Sequence, residues 1–254
     1  MVNITYKKKG IKINTIWFSN DIEKILSQSK SDFVFFHGID CDKYEKSIIN
    51  VQYSLKTDLK VDKDEIFKGF NKNYKYEINR AKRENVECTV YNYKELKNNV
   101  NLLIEFKKEY DEFVKLKGIE LSYNELAMQE YIKNKNVILT KASKDGVDYA
   151  QHVYVCDGET ARLLYSVSNF RTEGLDSNLI GRANKYLHWF DIEYLCDNNF
   201  KTLDWGGISS IDTPNGIDKF KKGFGGYECK YNNMIIGNSI IGKIAINIIK
   251  LKRS

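Results

Sequence analysis

Two rhythms of apolar residues alternate along the chain. Between residues 63 and 85, Ile66, Phe67, Phe70, Tyr74, Ile78 and Ala81 recur at helical spacing, while Lys68, Lys72, Lys75, Arg80, Lys82 and Arg83 fill the other face. The same period predicts helices over 93–117, 122–133, 177–198, 216–223 and 239–250. A short one is also predicted around Ile22, Ile25 and Leu26, with Ser19-Asn20 as its cap. Short apolar or alternating runs predict strands at 32–37, 47–55, 88–91, 137–143, 147–156, 160–168, 201–205 and 227–236. The turns Lys144-Asp-Gly146 and Asp157-Gly158 join three of these strands, so 137–168 reads as three consecutive antiparallel strands.

Punctuation is concentrated near the C-terminal third. Strand 201–205 ends on Gly206-Gly207, and a basic aromatic segment, Lys219-Phe-Lys-Lys-Gly-Phe224, closes on Gly225-Gly226. Glycine doublets suggest tight bends or close approach of main chain to something bound, and the lysines beside them suggest an anionic partner. Residues 1–62 are strand-rich and read as a reduced N-terminal subdomain. Residues 63–236 read as the main domain with a basic entry helix, and 237–254 as an amphipathic basic helix.

Composition narrows the class. With 42% hydrophobic and 29% charged residues among 254, the chain is that of a globular protein. No stretch reaches the ~18 apolar residues of a membrane span, and the first residues lack the apolar centre of a signal peptide, so a cytoplasmic location is expected. Five scattered cysteines without a C-x-x-C pair suggest reduced thiols, and three dispersed histidines suggest no metal. The net charge of +6 is compatible with phosphate-bearing ligands, RNA or an anionic membrane face, and selects none of them.

The order of elements resembles the Gcn5-related N-acyltransferase (GNAT) superfamily, an α/β (α+β) fold with a mixed, mostly antiparallel sheet flanked by helices. Three segments resemble its Fem branch, the peptidoglycan-bridge aminoacyltransferases and their relatives. They are Phe70 to Val86, Arg182 to Trp189 followed by Asp204-Trp-Gly-Gly207, and Gly216 to Gly226 with its Phe-Lys-x-x-Phe-Gly-Gly signature. The resemblance spans about residues 65–230. It implies transfer of an acyl group, from acetyl-CoA or another acyl-CoA, to an amine of an amino sugar or cell-envelope precursor. An aminoacyl-tRNA donor and a peptidoglycan-precursor acceptor form the second reading. A non-catalytic binding module of the same fold is the third. It further implies that the loop after 160–168 cradles a pyrophosphate, so Ser168, Arg171, Gly174 and Arg182 would bind the cofactor. Asp176 stands where that loop's pattern has a small residue.

Other candidates come from residue chemistry. His152, mid-strand, is poised near neutral pH as a base. Asp204 ends a strand, where it could orient a histidine or cap the following loop. Asn184, Trp205, Lys221 and Phe224 are candidates for the acceptor site. The partners expected are a small or lipid-linked amine, tRNA on the second reading, and peripheral contact with the inner membrane face through 239–250.

Overall fold

The computed structural model describes residues 1–118, 122–169 and 174–252. The chain begins with β1 (Val2–Lys8), β2 (Ile11–Trp17), α1 (Ile22–Gln28), β3 (Phe33–Ile39) and β4 (Ser47–Asp58). Then come α2 (Lys63–Lys68), α3 (Lys72–Arg83), β5 (Glu87–Asn92), α4 (Tyr93–Asn98), α5 (Asn101–Lys117) and α6 (Glu125–Lys133). The second half holds β6 (Val137–Lys144), β7 (Val147–Cys156), β8 (Thr160–Ser168), α7 (Ser177–Asp197) and β9 (Thr202–Ile208). It closes with α8 (Gly216–Lys222), β10 (Tyr227–Gly237) and α9 (Ile240–Leu251).

Among the described residues ten strands form one sheet, in the order β1-β2-β3-β10-β4-β9-β8-β7-β6-β5. Only β2–β3 and β8–β9 pair in parallel; the other neighbours run antiparallel. The fold is thus the mixed, mostly antiparallel α/β class that the sequence suggests. Position 62/63 is not a seam in this sheet: β10 lies between β3 and β4, so the N-terminal strands share a ladder with the C-terminal one. The sheet also curls. Trp17 Nε1 on β2 donates to Tyr131 Oη on α6 at 2.8 Å, and Val2, Ile4 and Trp17 enter the core built by α5, α6 and β6–β8.

Two long helical periodicities break where they read as continuous. Residues 63–85 split at Gly69–Asn71, because the Asn71 side chain accepts from the Asn73 amide and caps a new helix. Phe70 at the break stays buried against Trp189 and Phe224, so the apolar rhythm passes through the interruption. Residues 93–117 split at Asn99–Val100, after an Asn92–Glu95 capping box has started the first piece. The cap of α1 is Asp21, not Ser19-Asn20.

The doublet Gly225-Gly226 is required by the fold itself. Gly226 has φ +90°, and a Cβ there would lie 2.5 Å from the Lys56 carbonyl oxygen; at Gly225 a Cβ would press on the Gly69 main chain. The doublet lets the chain leave α8 and enter β10 flush against β4. Gly226→Ala combines a left-handed conformation with a backbone clash, so it should cost about 2 kcal/mol or more. A denaturant midpoint unchanged from the parent would refute this account.

Candidate active site

The site is built by a fork in the sheet. Strands β8 and β9 pair only over Thr160–Arg162 and Thr202–Asp204, then part while each continues, β8 to Ser168 and β9 to Ile208. Gly206 sits just past the fork with φ +76°, and a Cβ there would meet the Leu163 carbonyl at 2.9 Å. Only glycine lets β9 run this close to β8. A cleft of about 810 Å³ opens between the parted strands, roofed by α5, α7 and α8.

Four of the residues singled out in the sequence share this cleft: Ser168, Asn184, Trp205 and Lys221. The two ends of the motif region, the end of β8 and the lysine of α8, therefore face one cavity. Lys221 Nζ donates to the Gly207 carbonyl at 2.7 Å. Burial brings its ammonium down to about 8, and the Arg162 charge adds to this. α8 is fixed in place by its own cap: Asn215 accepts from the amides of Ile217 and Asp218, and Asp218 in turn accepts from Ser209.

His152 is fully buried. Its Nδ1 lies 2.6 Å from Asp191 Oδ2 and its Nε2 3.1 Å from Asn184 Oδ1, so its link to the cleft runs through Asn184. Tyr154 Oη also donates to Asp191 Oδ2, at 2.6 Å. His188 stacks on His152 with ring centroids 4.0 Å apart and lines the cleft. Burial pushes the His188 imidazole well below its usual range, and His152, Lys221 and Lys185 add to this, so its ring is neutral. Asp191→Ala would strand the His152 and Tyr154 donors in the core, and a loss of about 1–3 kcal/mol is expected in chemical denaturation.

The remaining candidates sit elsewhere. Asp204 orients no histidine; the carboxylate beside His152 is Asp191. Asp204 accepts from Arg162 Nη1 at 2.6 Å, from Ser54 Oγ at 2.5 Å and from the Gly206 amide at 2.9 Å. Arg162 extends to Tyr231 Oη and packs over Trp17 and Tyr231. Arg182 does not reach toward a phosphate: it forks onto Glu84 at 2.8 and 3.0 Å and is buried. Phe224 stacks behind Trp205 at 4.8 Å, in the core. Gly174 precedes α7 with φ +85° and is not among the cleft's lining. Arg171 lies outside the described residues. Asp176 caps α7 by accepting from the Asn178 amide at 2.9 Å, so a carboxylate occupies the helix start where a pyrophosphate was expected.

Sequence reasoning missed Arg162, Asp191 and Glu109. Asp191 had a visible signal: Asn184, His188 and Asp191 form a polar row at helical spacing within an apolar helix. Glu109 of α5 lines the cleft, accepts from Gln151 Nε2 at 2.7 Å, and has its carboxyl raised by burial and then by Asp148. His152, His188 and Asp191 bring ligand atoms within 4.8 Å of one another. To hold a cation through one nitrogen, His152 would give up one of its two hydrogen bonds, whereas His188 Nδ1 and Asp191 Oδ1 have no hydrogen-bond partner among the described residues; two lysines already disfavour positive charge on His188.

Neither a family model nor a curated protein matches the chain by sequence. Solved structures do match in fold. FemX aligns over 96% of this chain and 86% of its own, with a TM-score of 0.62 and 11% identity. The C-terminal domain (DUF2156) of a putative lysylphosphatidylglycerol synthetase from Agrobacterium fabrum aligns over 96% and 83%, with a TM-score of 0.58 and 10% identity. L-PGS from Bacillus licheniformis aligns over 96% and 88%, with a TM-score of 0.54 and 11% identity. The chain thus shares its fold with FemX and with these two proteins.

Proposed function

We propose that this protein is an acyl- or aminoacyltransferase whose reaction takes place at the fork between β8 and β9. The observation that carries the reading is the fork itself: two strands part beside a partly buried ammonium, and the gap is large enough for two substrates. The likeness in fold to FemX and to a putative lysylphosphatidylglycerol synthetase domain supports it.

The chemistry follows from the groups in the cleft. An acceptor amine attacks the activated carbonyl of the donor, a C–N bond forms, and the bond to the leaving oxygen or sulfur breaks. Negative charge develops on the carbonyl oxygen, and Lys221 supplies the positive charge that stabilises it. Glu109, with its raised carboxyl facing the same cleft, receives the proton that the amine gives up. Asn184, held by His152 and Asp191, offers a fixed amide to one of the substrates. The neutral leaving group departs with a proton from solvent.

One observation favours an aminoacyl ester over acyl-CoA as donor. The Asp176 carboxylate caps α7, and would repel a pyrophosphate at that helix start. Exposed Lys72, Lys82 and Arg83 on α3 supply a basic face for an RNA-borne donor. The acceptor on this reading is an amine of a cell-envelope precursor. Two assays test the donor. Acyl-CoA at millimolar concentration should leave the melting temperature unchanged, and charged tRNA should bind in a salt-sensitive way. Acetyl transfer from acetyl-CoA to an amino sugar would reverse the choice of donor. No transfer from either donor to any amine would overturn the enzyme reading.

A further inference from the structure

We infer that α9 lies on the surface of an anionic lipid bilayer and docks the protein there. The helix touches its own protein along a narrow seam. Gly242 and Ile246, one turn apart, are its buried residues, and a Cβ at Gly242 would lie 2.1 Å from the Asp32 carbonyl, so the backbone is pressed against the domain. The opposite side is apolar and faces solvent. Ile240, Ile244 and Ile248 form one row at four-residue spacing, 78%, 56% and 49% exposed, and Ile241 beside them is 67% exposed. A helix that spends its isoleucines outward and its glycine inward has its apolar face free for a partner.

Charge says which partner. Residues 240–252 contain no acidic side chain. Exposed Lys243 and Lys250 border the isoleucine row on one side, and exposed Lys252 borders it on the other. Exposed Lys12 of the β1–β2 hairpin stands next to the helix start, where its amide bonds Asp32. Asp32 itself is engaged by that amide and by Ser239 Oγ. An apolar stripe between lysines is the arrangement that seats side chains among acyl chains while the ammonium groups reach anionic headgroups. A second copy of this chain would set the same lysine border against itself.

Length decides how the helix lies. Its 12 residues span about 18 Å, well short of the ~30 Å hydrocarbon layer, so it lies in the interface and does not cross. Among the described residues no helix is long and apolar enough to span a membrane. The inference stands on α9 alone and is independent of the transfer reaction.

Vesicle co-sedimentation of the full chain tests it. The protein should pellet with phosphatidylcholine vesicles containing about one-third phosphatidylglycerol, and not with pure phosphatidylcholine. Ile244→Asp with Ile248→Asp should lower partitioning more than about tenfold, and Lys243→Gln with Lys250→Gln about fivefold per lysine. Both double variants should keep the parent's circular dichroism and melting temperature, since all four side chains are exposed. Equal vesicle binding by the isoleucine variant would overturn the proposal. So would absence of vesicle binding, including the case of a concentration-dependent dimer that the isoleucine variant dissolves.

Discussion

Lys221→Met is expected to lower kcat/KM by about 10²–10³-fold, the range for loss of one group that stabilises developing negative charge. On the proposed reaction the loss should fall on kcat, because the ammonium would act on charge that exists only in the transition state. Lys221 Nζ is a cation beside the fork, held 2.7 Å from the Gly207 carbonyl. Its proton leaves near about 8, so the transfer rate of the parent should fall as pH rises through that value. Lys221→Arg, which keeps its charge, should retain part of the activity and lose the alkaline fall.

Stability should move the other way. A lysine whose folded value is depressed binds fewer protons in the folded chain than in the unfolded one between about 8 and its ordinary value. Its contribution to stability therefore rises with pH across that window, and below about 8 the fold bears the full cost of the buried ammonium. At pH 7 the methionine variant should be as stable as the parent or about 1 kcal/mol more so. An inactive variant that is also unfolded would show Lys221 to be structural. Full activity in the methionine variant would remove it from the mechanism.

How far such a site can be read from sequence depends on the range of the interaction. The strands of the 137–168 meander and helix 177–197 follow from periodicity, since each is set by which residues face a nearby core. The breaks at Asn71 and Asn99 do not, because a cap is a local polar event and the apolar stripe carries on through it. Three residues that lie within the short motifs, Asn184, Trp205 and Lys221, line the same cleft. Partners far along the chain are not legible in the sequence, although Asp204 does cap the loop after it through the Gly206 amide, the second of its two readings. Arg182 is claimed by Glu84, 98 positions away, and Asp204 by Arg162, 42 positions away. The apolar side of α9 was visible as a pattern, but amphipathicity alone does not say which side faces the protein.

The largest stability loss is expected for Asp204→Ala. Asp204 and Arg162 are buried where β8 and β9 stop pairing, so their ion pair ties the base of the fork. Burial alone would raise the Asp204 carboxyl; the Arg162 charge, Ser54 and the Gly206 amide outweigh it and hold it below the usual carboxylate range. Removing the carboxylate leaves the Arg162 guanidinium uncompensated and frees three donors at once. A cost of about 3–5 kcal/mol follows, a large share of an ordinary domain's 5–15. The sign of the pH dependence is set by the lowered value. The parent's contribution is present above the unfolded carboxylate range and is lost as pH falls through the folded value, so the parent and Asp204→Ala curves should converge in acid. Arg162→Met with Asp204→Leu removes both charges, and should recover most of the stability while disturbing the cleft that Arg162 lines. If Asp204→Ala melted within about a degree of the parent, the pair would not hold the fork, and the opening between the strands would need another origin.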